Sequence, residues 1–139
     1  MPQAVILNRT LRSLGGFFKN VHRVNIVKAD QGNCHAKFTV TQGDLNPMGD
    51  LHDGLAVTLV DTISSIGMVS CPEWREPSPT VNISVLRIKS AKLGDELTIS
   101  SKLLKIENRM AYMDVKIFNT DNELLAKGEH AKLLSENKE

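Results

Sequence analysis

Residues 55–71 read Leu-Ala-Val-Thr-Leu-Val-Asp-Thr-Ile-Ser-Ser-Ile-Gly-Met-Val-Ser-Cys, and Asp61 is the one charged side chain among them. The run is too long for an ordinary strand. With Thr58, Ser64 and Ser65 it is also too short and too polar to span a membrane. It predicts a helix buried on nearly all sides, beginning near Asp53 and stopped by Pro72. A carboxylate inside such a helix is costly unless it is paired, hydrated or put to use. Asp61 therefore reads either as a structural hydrogen-bonding group at a helix or subunit contact, or as a general base, since buried carboxylates gather at active sites.

On the N-terminal side, Leu7, Leu11, Leu14, Phe18 and Val21 recur at helical spacing, and no acidic residue precedes Asp30 while Arg9, Arg12, Lys19, Arg23 and Lys28 do. This stripe serves an amphipathic first helix docked on the core, and it also suits a mitochondrial address. Val24 and Ile26, then Cys34, Ala36, Phe38 and Val40, alternate around Asp30-Gln31-Gly32-Asn33, which predicts a hairpin. On the C-terminal side four segments alternate at period two: Val81 to Val85, Leu97 to Leu103, Ala111 to Ile117, and Leu124 to Leu134. Turn formers at Ala91 to Asp95, Glu107 to Arg109 and Asn119 to Asn122 separate them, which favours antiparallel neighbours. The order is helix, two strands, one apolar helix, four strands. It predicts an α+β domain over residues 1–139, with a curved six-stranded antiparallel sheet around the long helix and a polar tail at Ser135 to Glu139.

The 139 residues are 41% hydrophobic and 24% charged with a formal net charge of +1, enough chain to bury a core without disulfides or metal. Few aromatics (4%) and no basic excess argue against nucleic acid as a main partner. Cys34 and Cys71 stand in no CxxC pair and no His-containing ligand spacing, so free thiols in a reducing compartment are expected and no metal or cofactor is implied. Nucleophile-elbow, phosphate-loop, HExxH and GxGxxG motifs are absent. Cys71 falls at the C-terminal end of its helix, where the dipole disfavours a thiolate. His22, His35 and His130 read as solvated or packing residues.

A second feature is Leu51-His52-Asp53-Gly54, about two turns before Asp61 at the start of the same helix. The first N–H groups of a helix lack intrahelical partners. Those of Asp53 and Gly54 are placed to hold negative charge developing on a carbonyl oxygen, although Asp53 serves equally as a plain N-cap and Gly54 as a turn residue.

Asn46-Pro-Met-Gly49-Asp-Leu-His52-Asp53-Gly54, Leu59-Val60-Asp61 and Lys89-Ser-Ala-Lys-Leu-Gly94-Asp95 together resemble the hotdog thioesterases of the phenylacetate-degradation type, over almost the whole chain. The resemblance implies a hotdog fold and hydrolysis of acyl-CoA to a fatty acid and CoA, with a homodimer carrying its active sites at the interface and two dimers stacked into a homotetramer. It assigns Asp61 to the attacking water, the N–H of Asp53 to the thioester carbonyl, Asn46 and His52 to the support of that arrangement, and Thr80 to a position where the family carries a water-placing serine. CoA is then part of the substrate, held along Asn82, the stretch of Arg87, Lys89, Ser90 and Lys92, and the stretch of Lys105, Asn108, Arg109 and Met110, where cations meet its phosphates. The expected compartment is the cytoplasm or the mitochondrion. One departure stands out: Asp53 replaces the first glycine of the family's His-Gly-Gly. A side chain there restricts the backbone, and its carboxylate repels an oxyanion unless it turns away. A weakly catalytic acyl-CoA binding or regulatory protein is therefore the alternative, and a hotdog dehydratase a more distant one.

Overall fold

The computed structural model describes residues 3–74 and 76–135. Helix α1 (Gln3–Ser13) is followed by a 3-10 turn (Gly16–Val21), then β1 (Asn25–Asp30) and β2 (Asn33–Thr39). Helix α2 (Asp53–Val69) precedes β3 (Thr80–Arg87), β4 (Glu96–Glu107), β5 (Met110–Phe118) and β6 (Leu124–Leu133). The six strands form one sheet in the order β1-β2-β4-β5-β6-β3, and every neighbouring pair is antiparallel. The expected α+β fold, with one long helix against a six-stranded antiparallel sheet, is what the chain adopts.

Two-residue turns set the hairpin registers. Gln31 and Gly32 join β1 to β2, Asn108 and Arg109 join β4 to β5, and all four have positive φ, the geometry whose twist matches that of the strands. Helix α2 packs against all six strands. Ala56, Leu59, Val60 and Ile63 meet Ala36, Phe38, Leu97, Ile99, Val115, Ile117, Leu125 and Ala126 in one core. The helix lies so close to β6 that a Cβ on Gly128 would fall 2.7 Å from Val60 Cγ1, so glycine is required by proximity.

Two details differ from the sequence expectation. The stripe from Leu7 to Val21 is not one helix: α1 ends at Ser13, and Gly15 and Gly16, the latter at φ 61°, turn the chain into the 3-10 segment, because glycine takes up the left-handed backbone readily. Leu7 and Leu11 still bury on the core. Helix α2 is not enclosed on nearly all sides either. Val57 and Val69 are exposed and Thr58, Asp61 and Ser65 half-buried, so one stripe of the helix faces outward and Asp61 lies on it. Of the polar tail, residues 136–139 lie outside the described residues.

Candidate active site

The i, i+4 spacing on α2 stacks Ser65 one turn above Asp61, and the Ser65 hydroxyl donates to Asp61 Oδ1 at 3.3 Å. Strand alternation points His130 and Lys132 of β6 to the buried face. Lys132 Nζ donates to Ser65 Oγ at 2.7 Å, and His130 Nε2 lies 3.8 Å from Asp61 Oδ1. On β3, a bulge between Thr80 and Asn82 shifts the register against β6. Thr80 Oγ1 thereby comes within 2.8 Å of His130 Nε2. The Asp61 side chain keeps 46% of its surface exposed while that of His130 has none. Asp61, Thr80, His130, Lys132 and Ser65 thus form one polar cluster with Thr80 and the carboxylate at its outer edge.

The proton positions follow from the partners. Ser64 Oγ lies 2.7 Å from Val60 O and 3.2 Å from Asp61 O, both of which only accept. Its proton goes to a carbonyl, so His130 Nδ1–H donates to Ser64 Oγ across 2.7 Å. His130 Nε2 is then an acceptor for the Thr80 hydroxyl, and the lone pairs of Thr80 Oγ1 remain available to a water. Burial pushes the His130 pKa below the ordinary histidine value of 6.5; the Asp61 carboxylate opposes this and the Lys132 ammonium adds to it. Burial likewise pushes Lys132 below the ordinary lysine value of 10.5, against the pull of Asp61.

At the N-terminus of α2, His52 is the N-cap and its Nδ1 accepts from Gly54 N at 2.9 Å, leaving Nε2 to carry the ring proton. Among the described residues the Asp53 N–H has no acceptor. Its carboxylate turns aside: Arg87 Nη1 donates to Asp53 Oδ1 at 2.8 Å and to Leu51 O at 3.0 Å, while Nη2 reaches Asp50 Oδ1 at 3.0 Å. Asp53 is the first residue of the helix and has no positive φ, so a side chain is accommodated without strain. Asn46 Oδ1 accepts the N–H groups of Met48 and Asp50 and shapes the preceding loop. The loop is held in turn by Asp44, whose backbone oxygen accepts from His52 N and whose carboxylate is paired with Arg23. Asp53 and Asp61 are eight residues apart on one helix, a rise of about 12 Å. Within one chain, the free N–H and the carboxylate are too far apart to serve a single carbonyl carbon.

The expected cations are spread along strand ends and turns. Arg87 is committed to Asp50 and Asp53, Lys89 pairs with Glu123, and Lys105 with Glu107 at 2.9 Å. Asn108 and Arg109 form the β4–β5 turn that leads into Met110. Ser90 and Lys92 lie in the segment between β3 and β4, where Lys92 N donates to Asp95 Oδ2. Asn82 shares a cleft of about 330 Å³ with Leu104, Tyr112 and His130. A groove of about 180 Å³ runs between α1 and α2, lined by Leu7, Leu11, Leu14, Phe18, Ile66 and Val69 with Asp61 and Ser65 at its polar side. Burial pushes the Cys34 thiol up to about 12, and burial and the neighbouring Glu73 raise that of Cys71, so neither is a ready nucleophile. Among the described residues no three His, Cys, Asp or Glu side chains come together to hold a metal ion, and no helix is long and apolar enough to cross a membrane.

The structure brings Asp61 and Thr80 together around His130 and sets His52 and Asp53 at the start of α2, whereas sequence reasoning set His130 aside as solvated or packing and passed over Lys132. The signal was available in the period of β6: Ala126, Gly128, His130 and Lys132 share the inward face, so two ionisable groups stand where a strand normally presents apolar ones.

A long helix with a carboxylate at mid-length and a free N–H at its start, cupped in a six-stranded antiparallel sheet, is the hotdog arrangement. The family model of the thioesterase superfamily matches residues 48–126, and the chain belongs to that superfamily. Acyl-coenzyme A thioesterase 13 of Mus musculus is 32% identical over 120 residues, covering 86% of this chain and 85% of that one. Among solved structures, thioesterase superfamily member 2 from Mus musculus superposes with a TM-score of 0.89 at 29% identity, over 97% of this chain and 99% of that one. A hypothetical thioesterase protein of Streptococcus pneumoniae, solved with coenzyme A, gives a TM-score of 0.77 at 26% identity over 84% of this chain and 88% of that one.

Proposed function

We propose that this thioester hydrolase cleaves medium- to long-chain fatty acyl-CoA to the free acid and CoA. The observation that carries the reading is the half-exposed Asp61 carboxylate and the Thr80 hydroxyl gathered around His130 Nε2, a pair of acceptors for the two protons of one water. With Thr80 bonded to His130, a water donating to Thr80 Oγ1 and Asp61 keeps a lone pair for the thioester carbon, and Asp61 takes its proton as the C–O bond forms. The Asp53 N–H, with Asn46 and His52 shaping the loop around it, holds the charge that develops on the carbonyl oxygen. Collapse of that intermediate expels the CoA thiolate, which takes up a proton.

The separation of Asp53 from Asp61 along α2 supports an active unit that is a homodimer, with these two groups contributed to one site by different protomers. Strand β3 ends the sheet with an unpaired edge and exposes Val81 and Leu86, with Ile88 exposed just past its end, a liability in a lone chain and a seam for a second copy. Exposed Leu104, Tyr112 and Leu133 supply apolar surface for two dimers to stack into a tetramer. The groove beside Asp61 receives the acyl tail. Asn82, Ser90, Lys92, Asn108, Arg109, Met110 and the strand-end cations Arg87, Lys89 and Lys105 border the path of the CoA moiety, with Arg87 also keeping Asp53 turned away from the oxyanion. That pairing answers the observation favouring a binding protein with little turnover. The free thiols suit the cytoplasm or the mitochondrion.

The test is CoA release from a panel of acyl-CoAs, short to long, by the parent and Asp61→Asn. Turnover by the parent and a loss of about 10²-fold or more in the variant are expected. Binding of acyl-CoA without release by the parent overturns the enzymatic reading in favour of a binding role.

A further inference from the structure

Lys132 is one of the few buried charged residues, 7% exposed, and a buried ammonium is retained only where a partner compensates its desolvation. Its hydrogen-bond partner is not a carboxylate but the Ser65 hydroxyl, at 2.7 Å. A lysine ammonium only donates, so Ser65 Oγ accepts from it and is free to send its own proton onward. Asp61 Oδ1 lies 3.3 Å away in that direction. We propose that Lys132 and Ser65 are positioning residues that act as a relay, the ammonium donating to the Ser65 hydroxyl and the hydroxyl to Asp61 Oδ1, so that Oδ2 is left to the attacking water.

The inference rests on the proposed role of Asp61 and adds two residues to it. The relay has a polarity only while Lys132 is protonated. Once it is neutral, Nζ can accept, the Ser65 proton can turn away from Asp61, and the carboxylate loses its orientation. The charged groups that bear on this point are Asp61 from α2 and His130 and Lys132 from β6. Strand β3 brings the Thr80 hydroxyl, and α1 faces Asp61 across the groove with Leu7, Thr10 and Leu11, followed by Leu14, none of them charged. Burial lowers the Lys132 pKa, so the relay switches off below the pH at which a solvated lysine would titrate.

The test measures kcat and KM across pH for the parent, Lys132→Met, Lys132→Arg, Ser65→Ala and Ser65→Thr, on a saturated medium-chain acyl-CoA, with folding checked by circular dichroism. The parent is expected to lose kcat on an alkaline limb. Lys132→Met and Ser65→Ala are expected to lower kcat about tenfold with KM within about twofold and to abolish that limb, while Ser65→Thr restores the rate and Lys132→Arg moves the limb upward. Equal kcat and an unchanged limb in Ser65→Ala overturn the relay, including when Lys132→Met fails to fold. A second readout needs no turnover: the 13C titration of Lys132 is expected to shift to lower pH in Asp61→Asn, since the carboxylate favours the ammonium. A Lys132 midpoint indifferent to Asp61→Asn overturns the relay, whereas a coupled Lys132 in a parent that hydrolyses no acyl-CoA leaves the relay standing and overturns the substrate assignment alone.

Discussion

His130 shows how one buried ring can set the sense of a neighbouring hydroxyl. Its Nδ1–H is taken by Ser64 and its Nε2 accepts from Thr80, so Thr80 presents lone pairs outward. Protonation would make Nε2 a donor and reverse that bond. The folded-state pKa lies below 6.5, so on acidification the unfolded chain takes up this proton before the folded one does. The stabilising contribution is complete above about pH 6.5 and is lost as pH falls toward the folded value. Urea unfolding at pH 7.5 and pH 5 is expected to show a loss of stability at the lower pH that is smaller in His130→Gln. An equal loss in the two proteins would remove His130 as the group responsible. At the same scale, Asp53 is accommodated because it occupies an ordinary helical position and because Arg87 draws its carboxylate aside.

The two helices and the edge strand divide the labour. Helix α2 carries the Asp53 N–H and the Asp61 carboxylate, while α1, with Leu7 and Leu11, and Leu14 just past its end cover one side of the groove before the chain turns at Gly15 and Gly16. A groove walled by one short helix is adjustable by a single side chain. Leu14→Trp is expected to cut kcat/KM for long acyl chains about tenfold, consistent with a few methylenes losing burial, and to leave short chains near the parent value. Kinetics on a chain-length series decide this, and a uniform loss at every length would place the tail elsewhere.

For the whole molecule, the spacing along α2 has a consequence for the proposed homodimer, in which each chain would hold halves of two different sites. Asp53→Pro removes the N–H proposed to polarise the carbonyl and suits the first turn of a helix, and His52 already has the extended backbone that precedes a proline. Asp53→Pro and Asp61→Asn are each expected to be inactive as homodimers. Refolded together, they form mixed dimers with one intact site, recovering about a quarter of parent activity if pairing is random. Size-exclusion chromatography fixes the assembly, and no recovery from the mixture would confine the site to one chain.

Local patterns alone specified much of this. Period-two alternation, paired turn residues and one long apolar run determined six strands, their antiparallel neighbours and the helix they enclose, because these signals depend on residues close together in the chain. Asp61 was legible for the same reason, as the lone charge in the run from Leu55 to Cys71. The closing of the sheet by β3 against β6, 50 residues apart from Thr80 to His130, was decided only by the tertiary structure. So were the inward placement of His130 and Lys132 beside Asp61, the open stripe on α2, and the capture of Arg87 by Asp50 and Asp53. Those contacts join distant segments through one bulge and one register, and hydrophobic periodicity says which face of a strand is buried without saying which strand will lie beside it.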